Sequence, residues 1–389
     1  MSRVQRNELY PELLGNNSMD PFSAYVSASR AQMFMTHLGQ RLCITGATPR
    51  NIQSGSEREY GKYTFRVEMP EDGTILNIVP RYRQSYSQGS IPGNMETFVI
   101  YENEKTREVD MFVLSDYCVN HQYFGFKYKR TNDFNQIKPL ARIPKGTVFL
   151  DSPSITDEGD YAYGLQCNIA YMTVPGVAED GIVVSRDLLP KLGFRTYETR
   201  IIEWGKDCFA LNLYGDEKKY KSFPDMGEMI RDDGVVMALR SYDRPDLAIV
   251  EQSVDDCMKI NHTFDEKIYA PPGGRVASIR IHHHLDDTNI ADKHMDGHTQ
   301  MYDQANRQFC KQIVAIWTDL KKKTRNNVKL SERFGSLITQ CLSVTTDDGP
   351  EKLHKVHQKA PLNAYRIEIT FEYEIIPTTG FKLTDTAGG

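Results

Sequence analysis

A stretch of eleven residues late in the chain alternates between apolar and polar side chains. Its apolar members are Tyr365, Ile367, Ile369, Phe371, Tyr373 and Ile375, and its polar members are Arg366, Glu368, Thr370, Glu372 and Glu374. A period of two residues places neighbouring side chains on opposite faces of a β-strand. Because a strand needs hydrogen-bonded neighbours, the fold has to include a sheet that receives residues 365–375.

Three earlier blocks also have the pattern of antiparallel sheet. Aromatic and β-branched residues separated by Pro, Gly, Asn and Asp predict short strands over 62–150, with a paired hairpin at 97–114. Further β-rich blocks are predicted over 151–189 and 195–284. Most of the chain is therefore expected to be strand and turn.

Two regions have the three- and four-residue spacing of helices. A helix is predicted over 27–42, with an apolar stripe formed by Ala28, Ala31, Met35, Leu38 and Leu42. After Asp296, a second stripe is formed by Tyr302, Ala305, Phe309, Ile313, Ile316 and Leu320, and a third, beyond a polar turn at 324–327, by Phe334, Leu337, Ile338 and Cys341. The last two stripes predict a helical hairpin over 295–342.

Composition excludes several classes of protein. The 389 residues are 40% hydrophobic and 25% charged, which excludes disorder, collagen and fibrous repeats and predicts two or three domains. No apolar run approaches the roughly 18 residues of a membrane helix, so an intracellular protein is expected. The 7 cysteines never form a C-x-x-C pair, which disfavours structural zinc. A net charge of -5 argues mildly against a nucleic-acid binder that acts alone.

Three groups of residues could carry chemistry, and each also has a simpler explanation. Glu179 and Asp180 are adjacent carboxylates on a predicted loop between two apolar strands, and such pairs are also common in solvated turns. Lys382, beside Gly380, could approach a phosphate, or it could belong to a frayed tail. The histidines at 282, 283, 284, 294 and 298 could bind a metal, but their spacing fits an exposed polar loop equally well.

Several segments, in their order along the chain, resemble the β subunit of multisubunit DNA-dependent RNA polymerases. They are Asp20-Pro-Phe22, Ser29-Arg-Ala-Gln-Met33 with Gln40, Gln53-Ser-Gly-Ser-Glu-Arg58, Tyr128-Lys-Arg-Thr131, Asp151-Ser-Pro-Ser154, Gly159-Asp-Tyr-Ala-Tyr-Gly164, Ile169-Ala-Tyr-Met172, Gly176-Val-Ala-Glu-Asp-Gly-Ile-Val-Val-Ser185 and Gly380-Phe-Lys382. The segment 176–185 is the most specific, since it is similar to the family's G-Y-N-F-E-D-x-I-x-x-S. It departs from that pattern by a loop one residue shorter and by Ala178 in place of an aromatic residue.

The resemblance implies an α+β, β-rich fold that forms part of the β subunit's double-psi β-barrel region. Residues 1–60 and 115–190 would belong to that active-site region, and 61–114 would be a β-rich insertion. Residues 191–350 would be a flap-like module that carries the helical hairpin, and 351–389 would return a strand to the barrel and end at the Gly-Lys motif. The chain begins about halfway along a cellular β subunit. It is therefore expected to be one piece of a split β subunit, as in the polymerases of large bacteriophages.

The function implied is nucleotidyl transfer in transcription, within a complex and not by this chain alone. Arg30 would contact the phosphates of the incoming nucleotide, Gln40 would lie near the RNA end, and Lys382 would hold an RNA phosphate. Glu179 and Asp180 would lie beside a Mg2+ ion, through water in the case of Asp180, while the metal-binding aspartates belong to a β′-like partner.

Partners and location follow from the same resemblance. The expected partners are other β and β′ fragments, template DNA, nascent RNA, nucleoside triphosphates and a promoter-specificity factor at the flap, but no membrane. The cytoplasm of an infected bacterial host is the expected location, with the virion as a second one. Two other functions stay open: a phage structural or scaffold protein without catalysis, and a metal-dependent nuclease that uses Glu179 and Asp180.

Overall fold

The computed structural model describes residues 15–44, 46–62, 65–81, 96–119, 125–178, 181–205, 207–242, 254–283, 297–345 and 365–378. Within these ranges strands contain more residues than helices, which confirms the mixed α+β, strand-rich class. The strands form open sheets of two to five strands, and no closed barrel occurs among the described residues.

The helices are α1 (Ala28–Gln40), α2 (Glu57–Lys62), α3 (Val254–Cys257), α4 (Gly297–Lys323) and α5 (Glu332–Thr345). The strands are β1 (Val67–Glu68), β2 (Gly73–Pro80), β3 (Glu96–Asn103), β4 (Glu108–Ser115), β5 (Tyr117–Cys118), β6 (Phe126–Lys127), β7 (Lys129–Arg130), β8 (Arg142–Ile143), β9 (Val148–Asp151), β10 (Phe194–Trp204), β11 (Cys208–Ala210), β12 (Val235–Ser241), β13 (Glu266–Tyr269), β14 (Arg275–His283), β15 (Lys329–Leu330) and β16 (Tyr365–Ile375). No helix in the described ranges is both long enough and apolar enough to span a membrane.

The alternating stretch 365–375 forms β16, as its pattern predicts, and lies in the middle of a three-stranded sheet. β10 and β14 flank it, and both pairings are antiparallel. Along β10 the register runs from Phe194 opposite Ile375 to Trp204 opposite Tyr365. The strand assigned by resemblance to the barrel region therefore pairs, in this chain, with two strands of the predicted flap-like segment.

A second sheet has the strand order β15-β4-β3-β2-β8 and is covered on both faces. The predicted hairpin at 97–114 is confirmed as β3 and β4. On one face Phe98 and Ile100 belong to a core that they share with helical residues. Val99 and Tyr101, which alternate with them along β3, belong to the core on the opposite face. The period of two therefore divides β3 between two cores.

The predicted helical hairpin is confirmed as α4 and α5, and it packs on that second sheet. Phe309 and Ile313 of α4 and Phe334 and Ile338 of α5 share a core with Phe98 of β3. The rings of Phe98 and Phe309 are 5.0 Å apart. β15 follows the turn between the helices and pairs in parallel with β4. The segment predicted as a separate β-rich insertion thus shares one hydrophobic core with the hairpin.

Helix α1 confirms the predicted helix at 27–42 but buries a different face. Ser27 caps it, and it ends at Gln40. Phe34 and Leu38 are buried in a cluster with Ile155 and Tyr161, whereas Met35, predicted for the apolar stripe, is 41% exposed. The sequence contains three consecutive apolar residues at 33–35, so the spacing alone did not decide which of them faces the core.

The predicted β-rich block over 151–189 is wrong beyond β9. Among its described residues, the pairing after Asp151 is a single bridge between Ile155 and Tyr161. Short turns provide the other backbone contacts, such as Val177 N–H to the Val174 carbonyl at 3.2 Å. Two apolar strands therefore do not flank Glu179 and Asp180, because residues 165–178 and 181–188 are irregular.

Candidate functional site

Arg30 lies in the first turn of α1 with its side chain exposed. Its backbone N–H donates to Ser27 Oγ at 3.4 Å, which caps the helix. Nη1 of its guanidinium lies 3.9 Å from Met33 Sδ. No carboxylate forms an ion pair with Arg30 in the part of the chain that the structure describes. The cation is therefore available to an anionic group from outside.

The other predicted site residues are only partly covered by the described ranges. Gln40 is the last residue of α1, roughly 15 Å along the helix axis from Arg30 at 1.5 Å per residue. Its side chain, like Glu179, Asp180 and Lys382, lies outside what the structure describes. The roles of these four residues therefore stay predictions.

The segments on either side of Glu179 and Asp180 lie at the surface with apolar side chains in solvent. Tyr171 is 87% exposed, Met172 73% and Ile169 68%. Beyond the gap, Ile182 and Val183 are also more than half exposed. Large apolar side chains on a segment with few backbone hydrogen bonds are typical of a surface that another chain covers.

The segment 53–58 that resembles a polymerase motif performs a structural task here. Glu57, buried at the start of α2, accepts hydrogen bonds from the backbone N–H groups of Ser54 and Gly55, each at 2.8 Å. Arg50 donates to the same carboxylate at 2.9 Å. Burial alone would raise the pKa of Glu57, but the backbone and Arg50 hydrogen bonds outweigh it and lower the pKa. This carboxylate thereby fixes the loop that precedes α2.

The two motifs at 151–154 and 159–164 form a platform under the end of α1. Gly159 and Gly164 have φ values of 86° and 94°, which favour glycine over residues with a side chain. Between them Tyr161 packs under Arg41, whose guanidinium carbon lies 4.1 Å from the ring centroid. Arg41 Nη1 donates to Ser154 Oγ at 3.2 Å.

Arg41 is a residue that sequence reasoning missed. Burial lowers the pKa of its guanidinium, and Nε is shielded from solvent without a hydrogen-bond partner. Among the described residues no carboxylate pairs with it. Arginine at the end of a helix is usually solvated and interacts with the helix dipole, so nothing in the local sequence indicates that this one is partly buried.

The histidine cluster does not assemble in the described part of the chain. His298 is buried in the first turn of α4, and its Nε2 lies 2.6 Å from Asp225 Oδ1. Tyr302 also donates to Asp225, at 3.0 Å. His282 lies on β14, while 284 and 294 are outside the described ranges. Where the structure describes the chain, no three His, Cys, Asp or Glu side chains are placed to hold a metal ion.

Comparison with known proteins found no matching family model and no similar curated protein. The polymerase resemblance therefore depends on the ordered segments of this sequence. Function follows as a proposal from those segments and from the surface around them.

Proposed function

We propose that this chain is a β-like subunit of a multisubunit DNA-dependent RNA polymerase. It contributes residues that contact nucleoside triphosphate and RNA phosphates to an active site completed by other chains. The Mg2+-binding aspartates belong to a β′-like partner, and the chain is inactive by itself. Its finer fold, in this proposal, is the β part of a double-psi barrel, with the flap-like module over 191–350.

The observation that carries the proposal is the exposed apolar surface at the most specific motif. Ile169, Tyr171 and Met172 precede the acidic pair, Ile182 and Val183 follow it, and all five are more than half exposed. A protein that worked alone would gain free energy by burying these side chains. A subunit whose acidic loop enters a composite site would bury them against its partners instead.

The exposed state of Arg30 supports its proposed role. A guanidinium without a carboxylate partner can make two hydrogen bonds to a phosphate. Lys382 would act as a second cation on the RNA, with Gln40 near the RNA 3′ end. Glu179 and Asp180 would lie beside the nucleotide-bound Mg2+, with water between Asp180 and the ion.

Co-purification tests whether the exposed segment binds partner subunits. The tagged chain is produced together with the large β- and β′-like chains encoded by the same genome, and the eluate is weighed by native mass spectrometry. Tyr171→Asp should remove those chains from the eluate. Leu140→Asp is the matched control, because Leu140 is 79% exposed in a turn outside the motif, and it should leave the complex intact. Recovery of the unaltered chain alone would contradict the proposal.

Single-nucleotide extension by the purified complex tests the site residues. Arg30→Ala and Lys382→Ala should each slow addition by about 100-fold, the scale of a lost transition-state contact of roughly 2.7 kcal/mol. Arg325→Ala, at the exposed turn after α4, should extend RNA at the normal rate. Normal extension by both Arg30→Ala and Lys382→Ala would leave the role assignments without support.

A further inference from the structure

Two adjoining clefts lie beside the platform formed by 151–154 and 159–164. The larger has a volume of about 550 Å3 and is lined by Lys127, Lys129 and Arg195 among others. The smaller, of about 430 Å3, is lined by Lys191 and also by Arg195. Because Arg195 borders both, the clefts meet at its side chain. Each volume lies within the range of about 300 to 1,000 Å3 that is usual for small-molecule sites.

The cations of these clefts differ in how they are neutralised. Lys129 pairs with Asp157, and Arg195 pairs with Glu372 at 2.8 Å. In the described part of the chain neither Lys127 nor Lys191 forms an ion pair. One unpaired cation therefore lies in each cleft, with Arg195 between them.

The carboxylates that also line the clefts are exposed to solvent. They are Asp157 and Glu158 in the larger cleft and Glu374 in the smaller one. The pair between Lys129 and Asp157 is itself exposed, so water screens it and it can open when a ligand enters.

Arg41 adds a partly buried positive charge beside the larger cleft. In the segment 152–155, the side chain of Ser154 contacts Arg41, and its neighbours Pro153 and Ile155 line the larger cleft. Cys43 also lines the cleft and contacts Arg41 from the same side. A charge that is shielded from water is normally paired or compensated by a ligand, and the protein atoms around Arg41 screen its field less than water would.

We propose that the paired clefts form a binding site for phosphate groups. Lys127 and Lys191 would contact phosphate oxygens directly, with Arg195 between them, and Arg41 would act as a positioning residue through its field. Because these cations are spread along two clefts, the site fits a ligand with more than one phosphate group. That ligand is either a nucleoside triphosphate or the backbone of a short polynucleotide. The site shares no residue with the proposed nucleotide-addition site and is tested without the polymerase partners.

Isothermal titration of the full chain, at constant ionic strength, separates the possible sources. The probes are sodium phosphate, ATP without metal and a ten-nucleotide single-stranded RNA. If all three probes bind comparably, the site recognises a single phosphate group. Tighter binding of ATP would assign the site to a nucleotide. Binding of RNA alone would assign it to a polynucleotide backbone. Each of these outcomes supports phosphate recognition, and binding of none of the three would overturn it.

Charge reversal locates the binding. Lys127→Glu should weaken affinity for the best probe by about tenfold, while the matched change Lys218→Glu, at an exposed lysine elsewhere, should change it less than about twofold. Equal losses in the two variants would mean that only net charge matters and would refute the site.

Arg41 needs a readout that distinguishes charge from packing. Arg41→Met keeps much of the apolar stem, and it should weaken phosphate binding and reduce its dependence on salt. Arg41→Lys should restore both, since it restores the charge. A loss of affinity in Arg41→Lys as large as in Arg41→Met would remove Arg41 from the site, and the Lys127 comparison would still test the clefts.

Discussion

Arg240 and Asp265 form a buried ion pair within the sheet of β11, β12 and β13. Nε and Nη2 of Arg240 donate to the two carboxylate oxygens, each at 2.8 Å, and the side chains are 4% and 0% exposed. Asp265→Ala would leave the guanidinium buried without its counter-charge. We expect a loss of about 3 to 5 kcal/mol in the free energy of unfolding, measured by urea denaturation followed by circular dichroism.

The chain provides a control for this prediction in the same region. Lys259 and Asp255 also form an ion pair, at 2.7 Å, but both side chains are mostly exposed. Asp255→Ala should lower the free energy of unfolding by less than about 1 kcal/mol. A similar loss in both variants would show that burial does not set the strength of the Arg240 pair.

Asp225 should make folding sensitive to acid. Burial acts to raise its pKa, but hydrogen bonds from His298 and Lys221 outweigh burial, so the net pKa falls well below the ordinary 3.8. A carboxylate with a lowered pKa stabilises the folded state above its ordinary pKa and loses that contribution as pH falls below it. The difference in urea midpoint between the unaltered chain and Asp225→Asn should therefore shrink as pH falls below about 4.

The exposed Asp319 of α4 supplies the comparison for that pH series. It pairs with Lys323 one turn along the helix, where solvent reaches both groups. Asp319→Asn should give nearly the same midpoint as the unaltered chain across the whole series. A midpoint difference for Asp225→Asn that grew as pH fell below about 4 would contradict the assigned contacts.

At the scale of elements, the hairpin of α4 and α5 is held by its contact with the second sheet. Ile313 is fully buried in the shared core, and Ile316, on the same stripe, is only partly buried. Ile313→Ala should cost about 2 to 5 kcal/mol of unfolding free energy, and Ile316→Ala clearly less. The protection of the α4 amides against hydrogen exchange is measured in both variants. An equal loss of protection in the two would mean that the hairpin does not depend on its contact with the sheet.

Local periodicity predicted the elements whose burial is decided nearby. α1, α4, α5, the β3–β4 hairpin and β16 all follow from the spacing of apolar residues. The block at 151–189 was assigned strands because Ile169, Val183 and their neighbours have strand-type composition. A strand also needs a partner, and within the described residues that stretch has almost none. Partners distant in sequence leave no trace in local spacing.

The candidate site was predictable only in part for the same reason. Arg30 is where its helix pattern places it, exposed on α1. Arg41 was not predicted, because its burial depends on Tyr161 and Ser154, more than a hundred residues away. The clefts beside it combine side chains from β6, β7 and β10, which no single motif contains.

For the whole molecule, the exposed stretches at 165–178 and 181–188 predict where the folded chain is cut. They have few backbone hydrogen bonds and their side chains are mostly in solvent. Brief digestion with chymotrypsin should therefore cleave after Tyr171 before it cleaves at Tyr197 or Phe371, which are buried in the sheet of β10, β16 and β14. Fragment masses decide the order, and earlier cleavage within that sheet would contradict the prediction.

Addition of the partner subunits should slow that cleavage if they cover the segment. A chain with Tyr171→Asp keeps the segment exposed, and another chymotrypsin site, such as Met172, should stay sensitive with or without partners. Protection of the altered chain to the same extent would place the partners elsewhere.

The position of β16 has a consequence for the order of synthesis. β10 and β14 leave the ribosome long before residues 365–375, and neither pairs with the other in the finished sheet. Until β16 is made, the facing edges of both strands lack the partner that joins them. The nascent chain can form the β3–β4 hairpin early. It cannot complete the sheet of β10, β16 and β14 during most of translation. Translation pauses before codon 365 would therefore prolong exposure of these two unpaired edges.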